Sequence, residues 1–181
     1  GWPSTARCKA IRSVKYHLVA LNITDNNIDY PNQLWWSNGA QAGSIPTEWT
    51  PTADNDAGDT ILGDSDGVIV DGWPLRDQLI IYKGNCTYSM TYVAGQYVYS
   101  FRKIFPSVGC QSVNCVTEVD GFNYVYTGKD FIRHDGVNYN SVVDNVIKRV
   151  MVDMVDIKQI NLCTVVSRVV DKQVWFCLPL A

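Results

Sequence analysis

Apolar and polar residues trade places at a period of two along most of this chain. "KYHLVALN" (15–22) is the first apolar run and "NQLWWS" (32–37) the second. Residues 67–70, 78–83, 86–93 and 97–104 follow, short runs bounded by turn residues, which is the pattern of strands. The alternation is plainest in 86–104. Tyr88, Met90 and Tyr92 share one face, Tyr97, Tyr99 and Phe101 repeat it, and Thr87, Ser89 and Thr91 make a smaller opposite face. Ala94-Gly95-Gln96 stands between the two runs as a short hairpin turn. Further short strands are expected at 114–119, 122–126 and 130–134, punctuated by Asp120-Gly121, Thr127-Gly128 and Asp135-Gly136.

One segment changes period. Near 141–156, Val143, Val146, Ile147, Val150, Met154 and Val155 recur at helical spacing, with Asp144, Lys148, Arg149 and Asp153 on the other side. Ser141 is the expected cap, with Asp144 three residues on. Residues 162–170 and 173–178 then form a terminal hairpin across Asp171-Lys172. The stretch 38–67 carries turn chemistry throughout and reads as surface loop.

The fold expected is therefore mainly β with one amphipathic helix. A weak repeat refines it. Val70-Asp71-Gly72 returns as Val119-Asp120-Gly121, and "IIYKG" (80–84) returns as "FIRHDG" (131–136), with "LWWSN" (34–38) an earlier copy of the second element. The spacing is that of one four-stranded blade, so β-propeller-like blades of short antiparallel strands are expected, about three of them, at 14–66, 67–117 and 118–181. The chain opens on Gly1-Trp2-Pro3 and stops at "QVWFCLPLA". Both ends lead to the expectation of a fragment of a larger propeller protein.

Composition narrows the function classes. Apolar residues make up 46% of the 181 and charged residues 18%, which is globular. A net charge of −3 supplies no basic footprint for binding DNA through its phosphates. No run is long and apolar enough to span a membrane, and residues 1–16 lack the apolar core of a signal peptide. The six cysteines are even in number, which permits disulfides, but Cys110 and Cys115 do not have zinc-ligand spacing and there are only two histidines. Reduced thiols filling a core are expected. The sequons Asn22-Ile23-Thr24 and Asn85-Cys86-Thr87 count only in a secreted protein.

Candidate chemistry is sparse. In "DNDAGDT" (54–60), Asp54, Asp56 and Asp59 could surround a cation, but an EF-hand is ruled out by Gly58 at its fifth position and Ser65 at its twelfth. Asp56-x-Gly58-x-Thr60 also resembles part of the Asp-box of sialidase propellers, without the flanking Ser and Trp; a plain loop is the first reading. Asp64-Ser65-Asp66-Gly67 reads as a turn before a strand. His134-Asp135 point to opposite faces of a strand. Glu118 and Asp120 share one face, as a glycosidase carboxylate pair would. Trp35-Trp36 place one indole inward and one outward, for packing, for a protein interface or, with Trp49 and Trp73, for a sugar-stacking platform. No catalytic residue, metal or cofactor is expected. The interface is assigned to Trp35, Trp36, Tyr88, Tyr92, Tyr97 and Tyr99.

The order of segments is itself informative. "YHLVALNIT", "LWWSNGAQAGSIPTEWTPTADNDAGD", "VDGWPLRDQLIIYKGNCTYSMTYVAGQYVYSFRKIF", "NCVTEVDGFNYVYTGKDFIRHDGVNYNSVVDNVIKRV" and "VVDKQVWFCLP" succeed one another. This succession resembles the tail nozzle, or tail-stabilisation, proteins of short-tailed bacteriophages, the tail tubular protein B-like family, from about residue 15 to residue 179. The resemblance implies a propeller-bearing subunit of a hexameric ring below the portal and adaptor, extending the channel for genome ejection and offering outer surfaces to fibres or spikes. It implies a virion protein assembled in the host cytoplasm, past which DNA moves without specific binding. Family members are longer than this chain. The alternative is a secreted carbohydrate-binding or sialidase-like propeller module.

Overall fold

The structure, a computed structural model, describes residues 1–93, 95 and 97–181. Strand accounts for 47% of the chain and helix for 10%, so the fold is mainly β. The first sheet is an antiparallel meander of β1 (Ala6–Val14), β2 (His17–Asp25), β3 (Ile28–Trp36) and β4 (Gly58–Ile61). The second repeats that order with β5 (Ile69–Leu75), β6 (Gln78–Lys83), β7 (Thr87–Tyr92) and β8 (Tyr99–Phe105). The third does so again with β9 (Val116–Val119), β10 (Phe122–Tyr126), β11 (Phe131–His134) and β12 (Tyr139–Ser141). Helix α1 (Asn145–Asp153) and a 3-10 turn (Ile157–Leu162) lead to a two-stranded sheet of β13 (Thr164–Arg168) and β14 (Gln173–Cys177).

Turn residues explain the meanders. Asn26 and Asn27 both take positive φ between β2 and β3, as Asp120 and Gly121 do between β9 and β10, the backbone that a two-residue hairpin needs. Pro31 lacks an amide to donate, and it falls where the β2–β3 register shifts around Asn22. Of the expected turn Ala94-Gly95-Gln96, positions 94 and 96 lie outside the described residues. The hairpin around it forms as expected, with Met90 opposite Phe101 and Tyr92 opposite Tyr99.

The sheets pack in series, and the first strands lie side by side: β1 against β5, β5 against β9, β9 against β13. Sheet two is covered on both faces. Leu79 and Ile81 of β6 join Leu21, Leu34 and Trp36 of sheet one in one core. Ile80 and Tyr82, on the opposite face, join Val125, Phe131 and Ile132 of sheet three in another. Burial on both faces is why "QLIIYK" reads as a continuous apolar run rather than an alternating one. At the first strands, Arg12 of β1 bonds the fully buried Asp71 of β5 at 2.7 Å, and the Asn114 amide donates to the same carboxylate at 2.8 Å.

Several expectations need correction. β1 went unread because its inward residues Ala6, Ala10 and Val14 are small and widely spaced among Arg and Lys. The first sheet thus begins at Ala6 rather than residue 14. β4 lies inside the stretch expected to be loop, and β5 runs on to Leu75. The spelled repeat equates unlike positions. Asp71 and Gly72 sit within β5, whereas Asp120 and Gly121 form a turn. Residues 80–83 lie on the second strand of their sheet, but 131–134 lie on the third of theirs. What repeats is the order of strands. Helix α1 is capped by Asp144, whose carboxylate accepts from the Val146 and Ile147 amides. Ser141 instead bonds Asp130 at 2.7 Å. Much of the apolar stripe of α1 is open: Val146 is 75% exposed, Ile147 51%, Val150 55% and Met154 48%, while Val155 is buried.

Candidate functional site

Most of the residues assigned to an interface are spent on this chain's own packing. Trp36, Tyr88 and Tyr99 are buried. The Trp36 Nε1 donates to the Asp56 carbonyl at 2.7 Å, and its ring lies edge-on to Tyr99. Gly58 is required beside it, since a Cβ there would stand 2.3 Å from the indole. Trp35 and Tyr92 are half-buried, while Tyr97 is 74% exposed and is the open member of the set. Trp35, Trp2 and Trp49 form a cluster beside a 240 Å³ cleft with Pro51 and Asp59 on its wall. Trp73 stands elsewhere, under the Arg12 guanidinium, so Trp35, Trp49 and Trp73 do not make one platform.

The acidic loop is braced as a turn. Asn55 Oδ1 accepts from the Thr52 and Ala57 amides, Asp56 N donates to Asn38, and Asp59 accepts from Gln33. Among the described residues no three His, Cys, Asp or Glu groups converge as a metal site would require, the Asp54, Asp56 and Asp59 set included. Glu118 folds back onto the Gly121 amide at 2.6 Å, and Asp120 sits in the turn, so these carboxylates do not face each other across a cleft. His134 is buried and bonds the Tyr82 hydroxyl, while Asp135 caps the next turn through the Val137 and Asn138 amides.

One polar cluster was not anticipated. Gly63-Asp64-Ser65-Asp66-Gly67 has the Gly-x-Ser-x-Gly spelling of a hydrolase nucleophile turn, a motif wrongly counted as absent when 64–67 is read as a turn alone. Here it connects two strands instead of a strand and a helix. Lys83, wholly buried, reaches the Leu62 carbonyl at 2.9 Å, the Ser65 carbonyl at 2.7 Å and Ser65 Oγ at 3.1 Å. Burial pulls the Lys83 pKa down. Ser65 Oγ lies 2.8 Å from the Tyr88 hydroxyl, and that hydroxyl donates to Asp64, whose other oxygen meets Lys103 at 3.1 Å. Tyr88 has a single proton and gives it to Asp64, so Ser65 donates to Tyr88 and accepts from Lys83. A serine placed that way links a buried ammonium, through the Tyr88 hydroxyl, to a surface carboxylate. It is a latch on the 62–65 loop, and the Lys83 proton is turned toward Ser65 rather than away from it.

The sequons divide. Asn22 is buried and donates to the Ile69 carbonyl at 2.7 Å, whereas Asn85 is exposed. All six cysteines are free thiols; Cys86, Cys110, Cys115 and Cys163 are buried. The Cys115 thiol is drawn down by the Cys110 thiol that bonds it, and burial pushes Cys110 and Cys163 up.

Exposed apolar residues concentrate late in the chain. Beyond the open face of α1, Ile157 is 81% exposed, Val170 92% and Trp175 50%. Apolar side chains are left in water at unusual density here. No helix among the described residues is long and apolar enough to cross a membrane. No protein-family model matches the chain, and no curated protein matches it.

Proposed function

We propose that this chain is a structural component of a bacteriophage tail, a nozzle-type ring subunit that extends the DNA-ejection channel below the portal and adaptor. The observation that carries the reading is the threefold succession of four-stranded antiparallel meanders with their first strands side by side. Such sheets are blade-like, and a propeller-like body built from them is the architecture that the family resemblance implies. The segments "DGWPLRDQLIIYK" and the Tyr-rich hairpin, on which that resemblance leans, make up one such meander.

Ring assembly needs lateral contacts, and the open apolar face of α1 with the β13–β14 hairpin supplies candidates for them. Neighbours in the tail, meaning other copies of this subunit, the adaptor, and fibres or spikes, are the partners proposed. A net charge of −3 suits a conduit that DNA passes without sticking. Mass spectrometry of peptides from gradient-purified tailed particles, with thiols labelled before digestion, tests the proposal. Peptides of this chain at a few copies per particle with unpaired cysteines are expected. Their absence from particles, with paired cysteines in the secreted fraction, would transfer the reading to the secreted carbohydrate-binding alternative.

A further inference from the structure

His17 opens β2, directly after the Lys15-Tyr16 turn, and only 3% of it is exposed. Its Nδ1 lies 2.6 Å from the Tyr99 hydroxyl, and its Nε2 is buried with no hydrogen-bond partner among the described residues. The proton assignment follows from counting. If Nδ1 held the proton, the Tyr99 O–H and the Nε2 lone pair would both be left without partners. If Tyr99 donates to Nδ1, one group is left over, the Nε2–H. Burial lowers the His17 pKa, which keeps the ring neutral at pH 7. The unused donor therefore persists under ordinary conditions.

His17 borders a 450 Å³ cleft together with Tyr16, Gly39, Gln41, Asp56 and Tyr92. The volume is within the roughly 300–1,000 Å³ typical of small-molecule sites. Nε2 itself has almost no exposed surface, and a side chain at Gly39 would begin 3.5 Å from it, so a ligand in the cleft reaches Nε2 only when the backbone around Gly39 shifts. The Tyr16 ring is 65% exposed at the rim, and the Tyr92 ring packs 5.8 Å from the imidazole. Asp56 uses its backbone amide and carbonyl inside the chain, but its carboxylate has no hydrogen bond or ion pair among the described residues. Its charge still reaches His17, acting against the effect of burial.

These groups select among ligand chemistries. An anion would meet the Asp56 carboxylate, and no Lys or Arg among the described residues borders this cleft. A cation would meet the Nε2–H, which has nothing to offer it. A neutral polyol satisfies both, accepting from Nε2 and donating to Asp56, and a pyranose adds an apolar face for a tyrosine ring. We propose that this cleft is a subsite for one pyranose ring of a neutral glycan.

Saturation-transfer NMR on the intact protein tests it. The probes are methyl glucoside, methyl galactoside and N-acetylglucosamine, with choline and methyl phosphate alongside. Transfer to the ring protons of at least one sugar, at about millimolar affinity, is expected, with none to choline or methyl phosphate. Tyr16→Ser and Asp56→Asn alter exposed side chains, and each is expected to weaken binding about tenfold with an unchanged thermal midpoint. The His17 Nε2 resonance should also move as sugar is added. Silence from all three sugars, equal binding by both variants, or transfer to choline instead would overturn the proposal.

Discussion

Nδ1 of His134 accepts the Gly136 amide at 3.2 Å, so the neutral ring carries its proton on Nε2 and directs it at the Tyr82 hydroxyl 2.7 Å away. Burial drops the His134 pKa from 6.5 to about 4. Between those values the unfolded chain binds a proton that the folded chain does not, so stability rises with pH through this window and is lost as pH falls from 6.5 toward 4. The loss is about 3 kcal/mol, and the lowered His17 pKa acts in the same direction. Asp64, Asp77 and Asp135 have pKa values held below 3.8, so their contribution is lost at lower pH than the histidine one. Urea midpoints measured from pH 7 to pH 4 should therefore fall, and His134→Gln should flatten that slope while lowering stability at pH 7. An unchanged slope would assign the effect to other groups. Close packing sets a second residue-scale prediction. A Cβ at Gly109 would stand 2.2 Å from the Lys83 carbonyl oxygen and 2.5 Å from the Gly84 carbonyl carbon. Both are backbone, so nothing flexible can yield, and Gly109→Ala is expected to cost about 3 kcal/mol or more in the same urea experiment.

Helix α1 separates what a pattern of residues can say from what it cannot. Periodicity located the helix, because apolar residues at helical spacing encode a stripe whichever way it faces. It did not reveal which way, because facing is decided by the neighbouring sheet. That neighbour takes Val143, Met151 and Val152 into its core and leaves Val146, Ile147, Val150 and Met154 outside. The hairpin β7–β8 was legible for the same reason as the helix, and the burial of Tyr88 and Tyr99 was hidden for the same reason too. Alternation shows that Tyr88 and Tyr99 share a face, but only the fold covers that face with sheet one. The latch between Ser65 and Lys83, like the Arg12–Asp71 contact, joins residues far apart in sequence, and no local spacing announces either. Two expectations follow for the helix. Asp144→Ala removes the acceptor for two amides and should cost about 1 kcal/mol in urea unfolding, whereas Ser141→Ala should leave the cap intact. Val146→Lys with Val150→Lys should alter stability by less than about 0.5 kcal/mol, since both side chains are already in water. If α1 contributes a ring contact, the same pair should lower incorporation into tailed particles, read by quantitative peptide mass spectrometry. Wild-type incorporation would remove α1 from the contact surface.

Across the whole molecule, sheets one, two and three are held to each other by apolar faces and, at the first strands, by one charged knot. Arg12 donates to Asp71, to the Gly72 carbonyl at 2.7 Å and to Asn114, so one side chain from β1 touches β5 and the segment entering β9. Burial pushes the Asp71 carboxyl up, against the opposing pull of Arg12 and of the Asn114 and Gly72 amides. Removing Arg12 leaves that carboxylate inside the protein with only the two amides, and breaking a buried pair in this way costs about 3–5 kcal/mol. Replacing both partners removes the stranded charge as well. Arg12→Met should therefore be strongly destabilising, and Arg12→Met with Asp71→Leu should recover more than half of the loss. The place where protection is lost matters as much as the total. Sheet two is packed on both faces, whereas sheet one meets a neighbouring sheet on one and is covered on the other by Trp2, Trp35 and Trp49. Native-state hydrogen exchange of Arg12→Met should show β1–β4 losing protection as a unit while β6 and β7 retain theirs. Uniform loss across all the sheets would mean that the knot stabilises a single cooperative body instead of coupling one blade-like unit to the next.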